Sequence, residues 1–430
     1  MSNRRCVIVG LNTGRPAAAF EKSMKEMEAL AEAASFETAA VFTQNLPGVN
    51  TGYYIGSGKI SEIRAYLEMN GDVDLVLFDN QLSPMQLGNL NRMLGAEVLD
   101  RTALILKIFA VRARTREAAL QVDYARLKYL LPRLKGMHDD LGRQGGTSGA
   151  MSNRGAGEKK IELDRRRIEQ QMAELRRDLE EVLRERETQR KARIRAGLPR
   201  VSLVGYTNAG KSTILNALLK GYGADEEKQV LEKDMLFATL DTATRRIEPG
   251  DGRKPFLLTD TVGFIDNLPT TLVKAFRSTL EESCYADLLL IVSDVSDPDF
   301  RENLRVTIST LSDIGAGGIP RLYVFNKVDL APDFMSRDIF AEGMAAEDHR
   351  ITMSAKDPAD AARLLDEIGE CINAGRKMCE MLIPYTEGQV IPALMASSDV
   401  EILEYTEEGT RIRAMLAEEN RRRYAAFLAE

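Results

Sequence analysis

The stretch VSLVGYTNAGKSTILNALL sets Gly205, Gly210, Lys211 and Ser212 in the spacing G-x-x-x-x-G-K-[ST]. An apolar run precedes it and an apolar-periodic run follows, so it reads as strand, loop and helix. That context is what gives the pattern its chemistry. The glycines let successive backbone N–H groups curl around phosphate oxygens, and the helix adds the positive end of its dipole. Gly205, Tyr206, Thr207, Asn208, Ala209, Gly210, Lys211, Ser212 and Thr213 are thus expected to cradle a polyphosphate. Lys211 is placed to reach the β- and γ-phosphates, and Ser212 to bind Mg2+. A glycine turn beside a surface lysine would explain the residues, but not the strand and helix around them.

A second stretch, RLYVFNKVDL, ends an apolar run with Asn326, Lys327 and Asp329. A carboxylate at Asp329 can accept hydrogen bonds from guanine N1–H and the 2-amino group. Adenine offers neither donor there, and the carboxylate would be left unpaired. Asn326 and the stem of Lys327 are expected to frame the ring. The following RITMSAK puts Ser354, Ala355 and Lys356 on a loop that could meet the guanine oxygen. Lying beyond a phosphate loop in the chain, these residues predict GTP rather than ATP.

A third stretch, LLTDTVGFIDNLP, carries Asp260 and Gly263 in the D-x-x-G spacing of a GTPase metal and γ-phosphate loop. Asp260 is expected in the outer shell of the metal, with the Gly263 amide on the γ-phosphate. In Ras-type GTPases a glutamine follows that glycine and orients the attacking water. Here the residue is Phe264, which cannot hydrogen-bond a water. Something else must hold the water, and intrinsic hydrolysis should be slow. A switch threonine must also close over the metal. FATLDTATRR offers Thr239, Thr242 and Thr244, and similarity to other bacterial GTPases selects Thr239 first and Thr242 second. Asn208 stands where some GTPases lacking the glutamine ligate K+; that role and a hydrogen bond within the loop are both open.

The elements that must position these residues form an α/β protein in four pieces. Residues 1–112 alternate strand-like runs (CVIVG, ETAAVF, DLVLFD, EVLD) with helical ones, which predicts a parallel sheet covered by helices. Residues 113–197 read as a long helical hairpin around a glycine-rich loop at about 142–157. In its second arm Ile161, Ile168, Leu175 and Val182 recur every seven residues, with Arg165, Met172, Leu179 and Arg186 four further on. The first arm presents Leu120, Leu127, Leu131 and Leu134, and these stripes are expected to be core. Residues 198–375 hold the nucleotide motifs, and residues 376–430 read as a small α+β domain with a hairpin at EEGT.

The chain carries 58 Lys+Arg against 65 Asp+Glu, a net charge of −7. The sum hides an asymmetry: residues 126–200 hold 20 basic and 12 acidic side chains, so that stretch is +8 and the rest −15. A basic middle in an acidic protein suits either a nucleic-acid surface or a solvated helix pair. Arg143, Arg154, Lys159 and Lys160 give the hairpin tip phosphate-binding capacity, whether it serves as a probe or as a connector. Two histidines, His138 and His349, make a histidine triad or a His-rich metal site a poor expectation. Cys6, Cys284, Cys371 and Cys379 include no C-x-x-C pair, so neither a disulfide framework nor a zinc site is indicated. No run reaches the length of a membrane span, and a cytoplasmic location follows as an expectation.

Together the motifs resemble the HflX GTPase family. LVGYTNAGKSTILNAL, LFATLDTATRR, DTVGFIDNLP, AFRSTLEE and FNKVD carry the resemblance in the GTPase part. YIGSGKISEI, LSPMQLGNLNRMLG, DRTALILKIFAVRARTREAALQV, YLLPRL and RGAGEKKIELDRRRI carry it in the first half. The chain departs from the family at Gly155-Ala156-Gly157-Glu158, where Gly-Pro-Gly-Glu is usual, and at Lys159-Lys160 just beyond. The resemblance implies a GTPase, stimulated by the ribosome, that binds the large (50S) subunit through rRNA. It inserts the hairpin loop near the peptidyl transferase region and splits stalled or stressed ribosomes. It implies Mg2+ as cofactor, and a hydrophobic residue after D-x-x-G is a family feature. A monomer in solution is expected. Two other readings stand beside it: a GTPase of RNA modification, ribosome assembly or a membrane, and an RNA-binding protein with vestigial GTPase activity. Intact Lys211, Ser212 and Asp260 speak against the last.

Overall fold

Four apolar runs near the N-terminus pair as β1 (Arg4–Asn12), β2 (Phe36–Asn45), β3 (Val73–Phe78) and β4 (Glu97–Asp100) in the order β2-β1-β3-β4, all parallel. Cys6, Val7 and Ile8 of β1 and Leu75 to Phe78 of β3 are wholly buried, as strands covered on both faces must be. The crossovers are α1 (Ala17–Ala33), α2 (Ser57–Met69) and α3 (Pro84–Leu94), and α4 (Arg101–Arg112) follows β4. Helix α3 starts at a reciprocal capping box formed by the Ser83 hydroxyl and the Gln86 side chain, with Pro84 in the first turn. The computed structural model describes residues 4–134, 152–195, 198–223, 243–250, 253, 255–261, 263–264, 282–336, 344, 348–374, 377–398, 400–416 and 418–428.

Buried charge ties the hairpin root to this sheet. Asp100 caps α4 by accepting the Ala103 amide at 2.8 Å. Its other oxygen accepts Leu82 N at 3.1 Å and the Arg133 guanidinium at 3.3 Å. Arg133 also donates to Leu82 O at 2.9 Å and stacks on Tyr129, 3.6 Å from the ring centre. Breaking one partner of such a pair would strand the other charge in the interior. The end of the first arm is thereby fixed.

That arm is α5 (Arg116–Leu130), with the Thr115 hydroxyl accepting Ala118 N, and it ends in a short 3-10 turn, Leu131–Arg133. The second arm, α6 (Ser152–Arg195), runs 44 residues. Two expectations need correction. The glycine-rich loop is expected to reach 157, yet the helix is already formed at Ser152, so Gly155 and Gly157 are helical. The leucine stripe is expected to be core, yet Leu120, Leu127, Leu131 and Leu134 are only half-buried. The buried face of α5 is Ala118, Gln121, Val122 and Ala125. On α6, Ile168, Met172, Leu175, Leu179 and Val182 are half-buried, while Arg165 and Leu163 are exposed. The heptad marks the covered side, but a lone hairpin has too few neighbours to seal it.

The nucleotide motifs sit on a six-stranded sheet: β5 (Arg200–Gly205), β6 (Ala243–Ile247), β7 (Phe256–Asp260), β8 (Leu288–Asp294), β9 (Arg321–Asn326) and β10 (His349–Thr352). Their order is β10-β9-β8-β5-β7-β6, parallel except for β6 against β7. Helices α7 (Lys211–Tyr222), α8 (Phe300–Asp313) and α9 (Pro358–Asn373) belong to the same piece. Ile214, Leu215 and Leu218 of α7 join Leu364, Leu365 and Ile368 of α9 in its core. Each motif stands just past the C-terminal end of a strand, where open parallel sheets place their ligands.

The C-terminal piece is an antiparallel sheet, β11 (Lys377–Ile383), β12 (Val400–Tyr405) and β13 (Thr410–Leu416), in the order β11-β13-β12. The β12–β13 hairpin turns through Glu407-Glu408-Gly409. Helices α10 (Val390–Ser397) and α11 (Glu418–Arg423) complete it, with Met381, Ile383, Leu394, Ile412 and Ala414 in its core.

Candidate nucleotide site

The loop between β5 and α7 is built from unusual backbone. Gly210 (φ 95°) precedes α7 in the left-handed region, and Asn208 (φ 60°) shares that region. Gly210 has a packing reason as well: an added Cβ would lie 2.2 Å from Asn326 Nδ2. Asn is the side chain best suited to a left-handed position, so the backbone alone accounts for Asn208, which is exposed.

Lys211 is buried, and its ammonium donates to Gly205 O at 3.1 Å and Tyr206 O at 2.7 Å. Two of its three protons are thus directed, and the ammonium is held in place before any phosphate arrives. Burial pushes its pKa down from 10.5 to about 8, against the opposing pull of Asp260. The sign matters for linkage. Below pH 8 the group is charged in both folded and unfolded chains, and its burial cost is fully present. Between about 8 and 10.5 only the unfolded chain keeps the proton, so stability of the nucleotide-free protein rises with pH across that window. Phosphate anions raise the folded pKa again. Binding of GDP at pH 8.5 should therefore take up protons, read as a dependence of calorimetric enthalpy on buffer ionisation enthalpy. Enthalpies independent of buffer would remove Lys211 from contact with phosphate.

Ser212, the second residue of α7, donates to Asp260 Oδ2 at 2.7 Å, with Asp260 wholly buried at the end of β7. Two hard oxygens thus meet beside the phosphate loop, a donor set that suits Mg2+. Thr213 lies half-buried on α7. Gly263 lies against the loop so closely that an added Cβ would be 2.8 Å from Thr207 Cα and 3.0 Å from Lys211 Nζ. The neighbouring Phe264 forms an isolated parallel bridge with Tyr206. Its amide donates to Gly205 O at 3.0 Å, and its carbonyl accepts Thr207 N at 2.7 Å. Its ring is 1% exposed. Phe264 therefore pins the D-x-x-G segment to the loop through its backbone and buries the side chain. Among the switch threonines, Thr239 and Thr242 lie outside the described residues. Thr244 is on β6, 3.0 Å from the Thr259 hydroxyl, which commits it to the sheet.

The residues expected to read the base divide into two kinds. Asn326 is expected to frame a purine, but it is 2% exposed and spends its side chain on backbone. It donates to Ala209 O at 2.9 Å and accepts Ala355 N at 3.0 Å, lacing the phosphate loop to the Ser354–Lys356 loop. Its part is positional. Asp329 faces outward: the Ser354 hydroxyl donates to Oδ1 at 2.8 Å, and the Lys356 ammonium stands 4.0 Å from Oδ2. Lys327 (φ 65°) pairs with Asp294 at 2.7 Å. Two residues of the site lie outside every motif. Asp294 holds Lys327, and Asp360 accepts Ser354 N at 2.8 Å to shape the loop. Asp294 comes from β8, far from Lys327 in sequence, while Asp360 lies six residues beyond Ser354 in the first turn of α9, and no spacing rule marks either.

Of the hairpin-tip cations, Arg154, Lys159 and Lys160 fall on α6 with side chains outside the described set, and Arg143 lies outside the described residues. His349, Glu367 and Glu370 bring possible ligand atoms within 4.8 Å of one another, with His349 and Glu370 exposed. Among the described residues, no helix is long and apolar enough to cross a membrane.

Three family models match in succession. Residues 21–110 match "GTP-binding GTPase N-terminal", residues 112–193 "GTP-binding GTPase Middle Region", and residues 200–327 "50S ribosome-binding GTPase". A GTPase HflX from Caldanaerobacter subterraneus subsp. tengcongensis is 41% identical over 411 residues, covering 95% of this chain and 90% of that protein. A GTPase HflX from Escherichia coli K12 is 39% identical over 369 residues, covering 86% and 83%. In fold the chain resembles the crystal structure of the SsGBP and GDP complex, with a TM-score of 0.51 at 24% identity, covering 86% of this chain and 99% of that one. Identity of this extent over nearly the whole length makes the chain a member of the HflX family of GTPases: it binds GTP and hydrolyses it.

Proposed function

We propose that the chain is a cytoplasmic switch that binds the large ribosomal subunit when loaded with GTP and splits stalled or stressed ribosomes. The observation that carries this reading is the match of residues 200–327 to a family described as 50S ribosome-binding. The basic stretch around α6 agrees with it. Arg165, Arg166, Arg167, Arg176 and Arg177 are exposed on that helix, and rRNA offers a dense phosphate surface that can be read by shape. Several of these arginines already pair with glutamates one turn away, such as Arg165–Glu169 at 2.9 Å. RNA phosphates would have to compete for them.

Within the site, Gly205 to Thr213 would hold the phosphates and Lys211 would neutralise the β- and γ-oxygens. Gly263 N–H would meet the γ-phosphate, and Asp329 would read guanine with Ser354, Ala355 and Lys356 around it. Ser212 and Asp260, with Thr239, would hold Mg2+, which offsets phosphate charge when bound. Asn208 supplies one amide oxygen toward a K+ ion, too little by itself to make a site.

Sedimentation with purified large subunits tests the reading. Co-sedimentation should be strong with a non-hydrolysable GTP analogue and weak with GDP. Hydrolysis should rise with subunits, and K+ in place of Na+ at matched ionic strength should raise it further only if Asn208 ligates the ion. Equal sedimentation with both nucleotides, or none with either, would sink the ribosome reading.

A further inference from the structure

Phe264 leaves the hydrolytic water without its usual holder, and the neighbouring side chains narrow the choice. Lys211 and Ser212 are committed to Gly205, Tyr206 and Asp260. Asn208 is exposed at the crest of the loop, and Tyr206 is half-buried. Thr207 differs from all of these. It is 7% exposed, and its hydroxyl is buried with no hydrogen-bond partner among the described residues. Leaving a buried hydroxyl unpaired is costly, so its persistence calls for a function. A valine would fill the same volume without that cost.

Position supplies the function. Thr207 N is held by Phe264 O at 2.7 Å, the bond that pins the D-x-x-G segment. Its methyl lies 2.8 Å from where a Cβ on Gly263 would stand, and Lys211 Nζ lies 3.0 Å from that same point. Thr207, Gly263 and Lys211 therefore converge beside the Gly263 amide, the group assigned above to the γ-phosphate. The methyl and hydroxyl of a threonine exchange places by one χ1 rotation.

We propose that Thr207 is the positioning residue for the attacking water. This rests on assigning Gly205–Thr213 to the triphosphate. When GTP enters, the hydroxyl donates a hydrogen bond to a γ-phosphoryl oxygen and accepts one from the water, which its one donor and two lone pairs allow. The water oxygen bonds to Pγ as the bond from Pγ to the β–γ bridging oxygen breaks. The electron pair leaves on the β-phosphate of GDP, and the water's proton passes to a γ-phosphoryl oxygen, giving inorganic phosphate. Thr207 keeps its own proton and acts by orientation.

The test uses the full-length protein with large subunits, with Thr207→Val, Thr207→Ser and Lys211→Met beside wild type. Thr207→Val should bind GDP and a GTP analogue within about threefold of wild type while stimulated kcat falls roughly 100-fold, the loss typical of one transition-state hydrogen bond. Its GDP–aluminium fluoride complex should weaken in parallel. Thr207→Ser should restore both readouts to within a few-fold. Thr207→Ala replaces the valine variant should that one fail to fold. Wild-type kcat in Thr207→Val overturns the inference. So does an equal loss in valine and serine variants, which assigns the effect to packing, or a loss of nucleotide affinity, which assigns the hydroxyl to ground-state binding. Lys211→Met should lose nucleotide binding; if it binds and hydrolyses as wild type does, the assignment of the phosphate loop itself fails.

Discussion

Asp329→Asn is expected to lose GTP and gain xanthosine triphosphate. The carboxylate of Asp329 is 37% exposed at the loop tip, open to a base and still oriented. Ser354 fixes one oxygen at 2.8 Å, and Lys356 stands 4.0 Å from the other. Guanine presents two donors to it, N1–H and the 2-amino group. Hydrogen bonds to a charged acceptor contribute about 1.5–3 kcal/mol each. Losing both would weaken GTP roughly 10²- to 10⁴-fold. An amide in place of the carboxylate turns one acceptor into a donor, which matches the 2-carbonyl of xanthine. Asn326→Ala should behave differently. It leaves the base readout intact but cuts the lacing from Ala209 to Ala355, so all nucleotides weaken together and stability falls. Fluorescence titration with guanine, xanthine and adenine nucleotides separates the two patterns. If Asp329→Asn loses GTP without gaining the xanthine nucleotide, the base assignment is wrong or the loop has collapsed.

The contrast between Asp329 and Asn326 shows what the sequence could and could not disclose. Both lie in one four-residue motif, and both read as base contacts. Asp329 faces outward, with Ser354 on one carboxylate oxygen and Lys356 near the other. Asn326 instead turns its amide to the Ala209 carbonyl, 117 residues earlier, at 2.9 Å. Local spacing carries no information about such an approach. Strands and helices of the N-terminal piece were legible because their apolar runs have different periods and lengths, and a serine before a proline, as at Ser83-Pro84, marks where a helix begins. The hairpin was legible as to side and illegible as to depth: the heptad names Ile168, Leu175 and Val182, and burial of each depends on how many elements pack there. The start of α6 at Ser152 is hidden for another reason. Gly155 and Gly157 argue locally for a loop, each by about 1 kcal/mol relative to Ala, and the 44-residue helix outweighs them.

An α6 that starts at Ser152 changes how the hairpin tip must be tested. Replacing residues 143–157 would remove the first six residues of α6 along with the loop, and a loss of function could then come from a frayed helix. Replacing 143–151 by a Gly/Ser linker of equal length leaves α6 whole. With the root held by Arg133 and Asp100, the arm should keep its direction. GTP and GDP affinity should be unchanged, since no residue of the phosphate or base loops is touched. Stimulation of hydrolysis by large subunits and splitting of ribosomes should both disappear, returning the rate to the intrinsic value. Partners that complete a GTPase site raise kcat by roughly 10³- to 10⁵-fold, so the change would be large. A second variant, Arg154→Ala with Lys159→Ala and Lys160→Ala, keeps the backbone and removes charge. It should bind subunits more weakly and with a shallower salt dependence, by roughly 0.7–0.9 in log–log slope for each phosphate no longer neutralised. Normal splitting by the linker variant would make the tip a connector. Normal splitting there combined with a reduced salt slope in the charge variant would place the ribosome-binding surface on α6 itself.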